Sequence, residues 1–151
     1  MGAKERLVEL GLELPPVAAP LAAYVPAVRS GNHVYTSGQL PIVDGNLVAT
    51  GKVGDGISPE QGKELAQRCA LNALAAVDSV VGLDAVVRVV KIVGFVASAE
   101  GFTGQPGVVN GASELMGEVF GEAGQHARSA VGVAELPLGA PVEVELIVEV
   151  S

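Results

Sequence analysis

The stretch "PVEVELIVEV", residues 141–150, decides the fold, because its side chains alternate strictly. Val142, Val144, Leu146, Val148 and Val150 project one way, while Glu143, Glu145 and Glu149 project the other. A period of two is the pattern of a strand with one buried face. Upstream lies "HARSAVGVAELP", residues 126–137, a second strand of small and β-branched residues with Arg128 near its start. Burying a guanidinium without a partner costs several kcal/mol. Its partner is therefore either a glutamate on the adjacent last strand or a carboxylate delivered by a ligand.

Further upstream the pattern changes period. Residues Val108 to Glu122 read as a helix weakened by Gly111, Gly117 and Gly121. "AVVRVVKIVGFVAS", residues 85–98, reads as a long central strand, apolar on both faces apart from Arg88 and Lys91. "SPEQ" opens another helix, with Ser58 as N-cap, Pro59 in the first turn and Gln61 completing a capping box. That helix extends to about Val80 and stops at Gly82, with Cys69 on its apolar face. Before it, "YVPAV" and "NHVYTSGQLP" read as strands joined at Ser30-Gly31-Asn32, and Asp44-Gly45 marks a two-residue hairpin. "TGKVGDG" ends this meander, and "AKERLVELG" begins the chain as a short amphipathic helix. The expected architecture is α+β: a mixed sheet with two helices packed on one face. The other sheet face is left to be covered by copies of the chain.

Composition supports that inference. Apolar residues make up 49% of the 151, charged residues 17%, and mean hydropathy is +0.45. A charge fraction below the usual value of about 25% fits either a membrane protein or a self-associating soluble one. The uncharged run from Leu14 to Val28 carries Pro15, Pro16, Pro20 and Pro26, which would break a spanning helix. "MGAKERLVEL" lacks the apolar core of a secretory signal, and Cys69 is the only cysteine, so a cytoplasmic location is expected. A net charge of −8, no tryptophan and few other aromatics argue against nucleic-acid binding.

Candidate chemistry is sparse. Only His33 and His126 are present, without metal-ligand spacing around Cys69. No G-x-S-x-G elbow or P-loop occurs, and no metal or cofactor is expected. Arg128 could clamp a carboxylate, since its planar fork matches two oxygens. Ser129 and Ala130 beside it are small, and Glu143 could orient a water toward a bound electrophile. Tyr24 and Ser37 are candidates for a pocket wall, while Asn110, near a helix start, reads more often as a cap than as a ligand.

"YTSGQLP" (35–41), "ARSAVGVAELP" (127–137) and "VEVELIVEV" (142–150) together resemble the Rid family of reactive intermediate deaminases, also called YjgF-like proteins. The resemblance runs from about Tyr24 to Val150, leaving residues 1–23 as an N-terminal extension and 24–151 as the family domain. It implies a chorismate-mutase-like fold and a homotrimer with three clefts between subunits. It also implies hydrolysis of 2-imino acids to 2-keto acids and ammonia. In that family a strand arginine holds the substrate carboxylate, which is Arg128 here. A glutamate on the last strand, Glu143, and a backbone carbonyl, that of Ala130, place the water. Tyr24, Ser37 and Gly38 of the "TSGQ" segment, and a helix-start asparagine, Asn110, line the cleft. The chain departs from the family in its longer N-terminus, its glycine-rich "AEGFTGQPGVVNGASEL" stretch and "HAR" where "PAR" is frequent. The alternative function is a non-catalytic trimer that binds small carboxylates such as 2-keto acids.

Overall fold

The computed structural model describes residues 1–20 and 22–151, so Leu21 of the N-terminal stretch lies outside the described residues. Helix α1 (Ala3–Glu9) is followed, after the proline-rich tract, by strands β1 (Ala27–Ser30) and β2 (His33–Thr36). The first strand starts later than "YVPAV" suggests, because Pro26 has no N–H to give a ladder and pairing begins only beyond it. Strands β3 (Ile42–Val43) and β4 (Asn46–Leu47) form the expected hairpin, with Asp44 and Gly45 both at positive φ, 51° and 82°. Strands β5 (Lys52–Val53) and β6 (Gly56–Ile57) pair across Gly54-Asp55.

Helix α2 (Pro59–Val81) begins as its chemistry dictates. The Gln61 backbone N–H donates to Ser58 Oγ at 3.1 Å, and Gln61 Oε1 accepts from the Ser58 N–H at 2.9 Å. Gly82, at φ 80°, ends it. Strand β7 (Val86–Ala97) leads to helix α3 (Gln105–Phe120), then β8 (Ala127–Val133) and β9 (Val142–Val150). The third helix starts three residues before the expected Val108. Pro106 in its first turn presets the helical φ, and Gly121 at φ 62° closes it before Glu122.

The main sheet runs β1-β2-β9-β7-β8. Only β7 and β8 are parallel, joined by the α3 crossover; the other neighbours are antiparallel. β7 is flanked on both sides, as its continuous apolar character requires. α2 and α3 pack against each other and against one face of this sheet. On that face Val142, Val144, Leu146, Val148 and Val150 are all buried, together with Val89, Ile92 and Val96 of β7. α1 docks on α3 through Leu7, and Arg6 Nε donates to the Glu118 carbonyl at 2.8 Å. Cys69 is fully buried, with its Sγ 3.6 Å from the Val142 carbonyl.

The opposite face is mixed in character. Cross-strand registers place Val28, Tyr35, Ile147 and Lys91 in one row, with Glu145 and Val93, then Glu143, Phe95 and Val131, in the next two. Among the described residues no helix covers this face, and Val28 and Val131 are half exposed. Also among the described residues, no helix is long and apolar enough to cross a membrane.

The α2–α3 contact depends on Gly111. A Cβ there would fall onto the Lys63 carbonyl, whereas one at Gly117 would meet open space. Gly111→Ala should therefore destabilise the fold by about 2 kcal/mol. Gly117→Ala should stabilise it by roughly 0.5–1 kcal/mol, since alanine is the better helix former. Chemical denaturation of the two variants checks both signs.

Candidate active site

Arg128 lies opposite Ile92 in the β7–β8 ladder. Residues paired across a ladder share a face, and Ile92 is buried toward the helices, so Arg128 projects to the same side. There its Nη1 donates to Asn110 Oδ1 at 2.7 Å and to Ser113 Oγ at 3.3 Å. Asn110 and Ser113 stand three residues apart and share one face of α3. Because the helix starts at Gln105, Asn110 occupies the second turn rather than the helix start. Its side chain therefore serves the arginine and no cap.

The glutamates of the last strand cannot reach Arg128, because β7 intervenes between β8 and β9. Among the described residues no carboxylate forms an ion pair with it. Nε and Nη2 have no hydrogen-bond partner among the described residues, and no buried side-chain nitrogen or oxygen is left without one. Those two nitrogens therefore reach the surface. Behind the arginine, His126 Nε2 lies 2.9 Å from Ser113 Oγ and His126 Nδ1 lies 2.6 Å from the Gly124 carbonyl.

Backbone direction places the Ala130 carbonyl. β8 is an edge strand, and the Val133 carbonyl accepts from the Ser98 N–H at 3.1 Å, so it points toward β7. The register is uninterrupted and directions alternate along a strand, so the N–H and C=O of Arg128, Ala130 and Gly132 point to the open edge.

Glu143 belongs to a second group. It is paired with Phe95 and projects from the face that no helix covers. A cavity of about 60 Å³ beside it is lined by Pro20, Tyr24, Gly38, Gln39, Pro137 and Glu143. Gly38 lets the Glu143 carboxylate lie against the backbone here, since a Cβ at this position would push that carboxylate aside. Ser37 Oγ donates to the Val25 carbonyl at 2.6 Å and its N–H to the Pro26 carbonyl at 2.8 Å, which ties the "TSGQ" segment to the tract before β1. Burial first, and then the neighbouring Glu145 charge, push the Glu143 carboxyl above the ordinary glutamate range.

The expected residues thus divide. Arg128, Ala130 and Asn110 share one group; Glu143, Gly38, Ser37 and Tyr24 form the other. From strand spacing and rise, the Arg128 and Glu143 backbones lie roughly 14 Å apart, and their side chains leave opposite faces of one sheet. The sequence reading missed Ser113 and the contact of His126. The Asn-x-x-Ser spacing on one helix face, and a histidine two residues before the strand arginine, were the available signals. Among the described residues no cluster of three or more His, Cys, Asp or Glu side chains could hold a metal ion.

A family model described as "YjgF/chorismate_mutase-like, putative endoribonuclease" matches residues 4–150. The chain belongs to the YjgF family. Its α+β architecture is the fold of that family. Protein TCP17 of Trypanosoma cruzi is 47% identical over 147 residues, which cover 96% of this chain and 92% of the relative. The 2-iminobutanoate/2-iminopropanoate deaminase of Dermatophagoides farinae is 34% identical over 141 residues, covering 93% and 95%. Among solved structures, protein Atu1372 of Agrobacterium tumefaciens superposes with a TM-score of 0.92 at 45% identity, covering 99% of this chain and 92% of that one. For a YjgF protein the match from residue 4 includes α1, whose Leu7 belongs to the same core as the sheet.

The raised Glu143 carboxyl has a definite consequence for stability. The folded chain holds this proton more tightly than the unfolded chain does. The group therefore supports folding fully below the ordinary glutamate range, and that support is lost as pH rises through the raised folded value. Glu143→Gln, which cannot ionise, should melt higher than the parent at about pH 7 and lose that advantage near pH 4. Thermal melts across this range check the sign.

Proposed function

We propose that this YjgF protein hydrolyses 2-imino acids to 2-keto acids and ammonia, at clefts between the copies of a homotrimer. The observation that carries this reading is the Arg128 fork. Its Nη1 rests on two neutral oxygens, while Nε and Nη2 reach the surface with no carboxylate among the described residues pairing with them. A cation held in that way suits a carboxylate brought by a small molecule. The relative named as a 2-iminobutanoate/2-iminopropanoate deaminase supports the same chemistry. The family description also mentions endoribonuclease, but a net charge of −8 gives no support for a surface that follows phosphates.

The split between the two groups fits a site shared by neighbours. One copy contributes Arg128, the Ala130 carbonyl and Asn110; the next contributes Glu143, Gly38, Ser37 and Tyr24. Arg128 anchors the substrate carboxylate and fixes the adjacent C=N carbon. A water held by Glu143 and the Ala130 carbonyl adds its oxygen to that carbon as Glu143 takes a proton. Return of that proton to nitrogen gives a carbinolamine, and transfer of its hydroxyl proton to the same nitrogen through Glu143 then releases ammonia as the C–N bond breaks and the C=O bond forms. A raised carboxyl pKa brings Glu143 nearer to what a base working close to neutrality requires.

Arg128→Ala and Glu143→Gln should each lower imine hydrolysis about 10²-fold or more, measured as ammonia release from imines generated by an amino-acid oxidase. Co-refolding the two inactive variants in equal amounts should restore about a quarter of the sites, since random mixing pairs an intact arginine with an intact glutamate that often. Full activity of Arg128→Ala would overturn the reading. Failure of the mixture to recover would overturn the shared site. Binding of a 2-keto acid without turnover by the parent would leave a carboxylate-binding trimer in its place.

A further inference from the structure

We propose that His126 is a positioning residue for Arg128, acting through the Ser113 hydroxyl. This rests on the reading of Arg128 as the carboxylate anchor and adds to it the residues that aim the anchor. A carbonyl oxygen can only accept, so the 2.6 Å contact between His126 Nδ1 and Gly124 requires the hydrogen on Nδ1. In the neutral ring, Nε2 is then an acceptor, and its partner at 2.9 Å is Ser113 Oγ. The single hydroxyl proton of Ser113 is thereby directed to the histidine. What Ser113 turns to Arg128 Nη1, 3.3 Å away, is a lone pair.

The chain of contacts has one polarity throughout. Arg128 donates to Ser113, Ser113 donates to His126, and His126 donates to Gly124. Asn110 Oδ1 is the second acceptor on Nη1, at 2.7 Å. Two acceptors on one nitrogen fix both the position and the rotation of the guanidinium plane. The edge carrying Nε and Nη2 then faces outward in a defined direction. Without the histidine, the Ser113 hydroxyl is free to turn its proton toward Arg128, and the arginine is held by Asn110 alone. The "HAR" departure noted in the sequence thus acquires a physical role.

The test measures binding of 2-ketobutyrate by calorimetry, alongside steady-state imine hydrolysis, in full-length variants. Ser113→Ala and His126→Phe should each weaken keto-acid binding and raise KM about tenfold, the scale of one hydrogen bond, with kcat within about twofold. Ser113→Thr keeps the hydroxyl and His126→Gln keeps an acceptor, so both should return to within about twofold of the parent. A purely structural role would move stability without this rescue or this division between KM and kcat. If Arg128→Ala loses keto-acid binding while Ser113→Ala and His126→Phe bind like the parent, the relay is wrong and the anchor stands. Parent-like binding by Arg128→Ala overturns both.

Discussion

The pleat of the sheet is the constraint on which the site depends. β7 separates β8 from β9, and the registers of both ladders send Arg128 toward the helices and Glu143 away from them. No side-chain rotation brings two such groups together within one chain. The cation is therefore spared neutralisation by the acids of the last strand, and those acids are left to crowd one another. Glu143 and Glu145 stand on the same open face, and after burial it is the Glu145 charge that raises the cost of ionising Glu143. The covalent scaffold thus keeps Arg128 from pairing with the last-strand carboxylates of its own chain.

The setting of Arg128 shows the same economy. A buried ion pair would have satisfied the guanidinium at the expense of its reactivity toward a ligand. Neutral oxygens from Asn110 and Ser113 instead fix its direction without cancelling its charge. The edge position of β8 adds backbone groups of Arg128, Ala130 and Gly132 that no neighbouring strand consumes. Side chain and main chain thus offer polar groups along one border of the sheet.

Much of this was legible in the residues because local chemistry and burial agreed. The Ser58–Gln61 capping box, the Asp44-Gly45 turn and the alternation of β9 each reappear where the pattern put them. Boundaries set by proline moved: Pro26 delays β1 and Pro106 advances α3. The advance of α3 is also why Asn110 could not be read correctly as a helix-start residue. Which site residues meet was not legible, because neighbours in a sheet depend on strand order, and β9 inserts between β2 and β7 although it comes last in the chain. Ser113 escaped for a related reason. Its importance lies in an arginine fifteen residues away and a histidine thirteen away, with no periodic signature.

Cys69 sits under the centre of the helical layer, beside the Val142 carbonyl. Desolvation first, and the nearby Glu143 charge second, hold its thiol well above the ordinary cysteine range. The only sulfhydryl in the chain thus stays protonated and walled in. Electrophiles passing over the surface therefore meet no thiol to alkylate, and disulfide crosslinking between copies has no ready foothold.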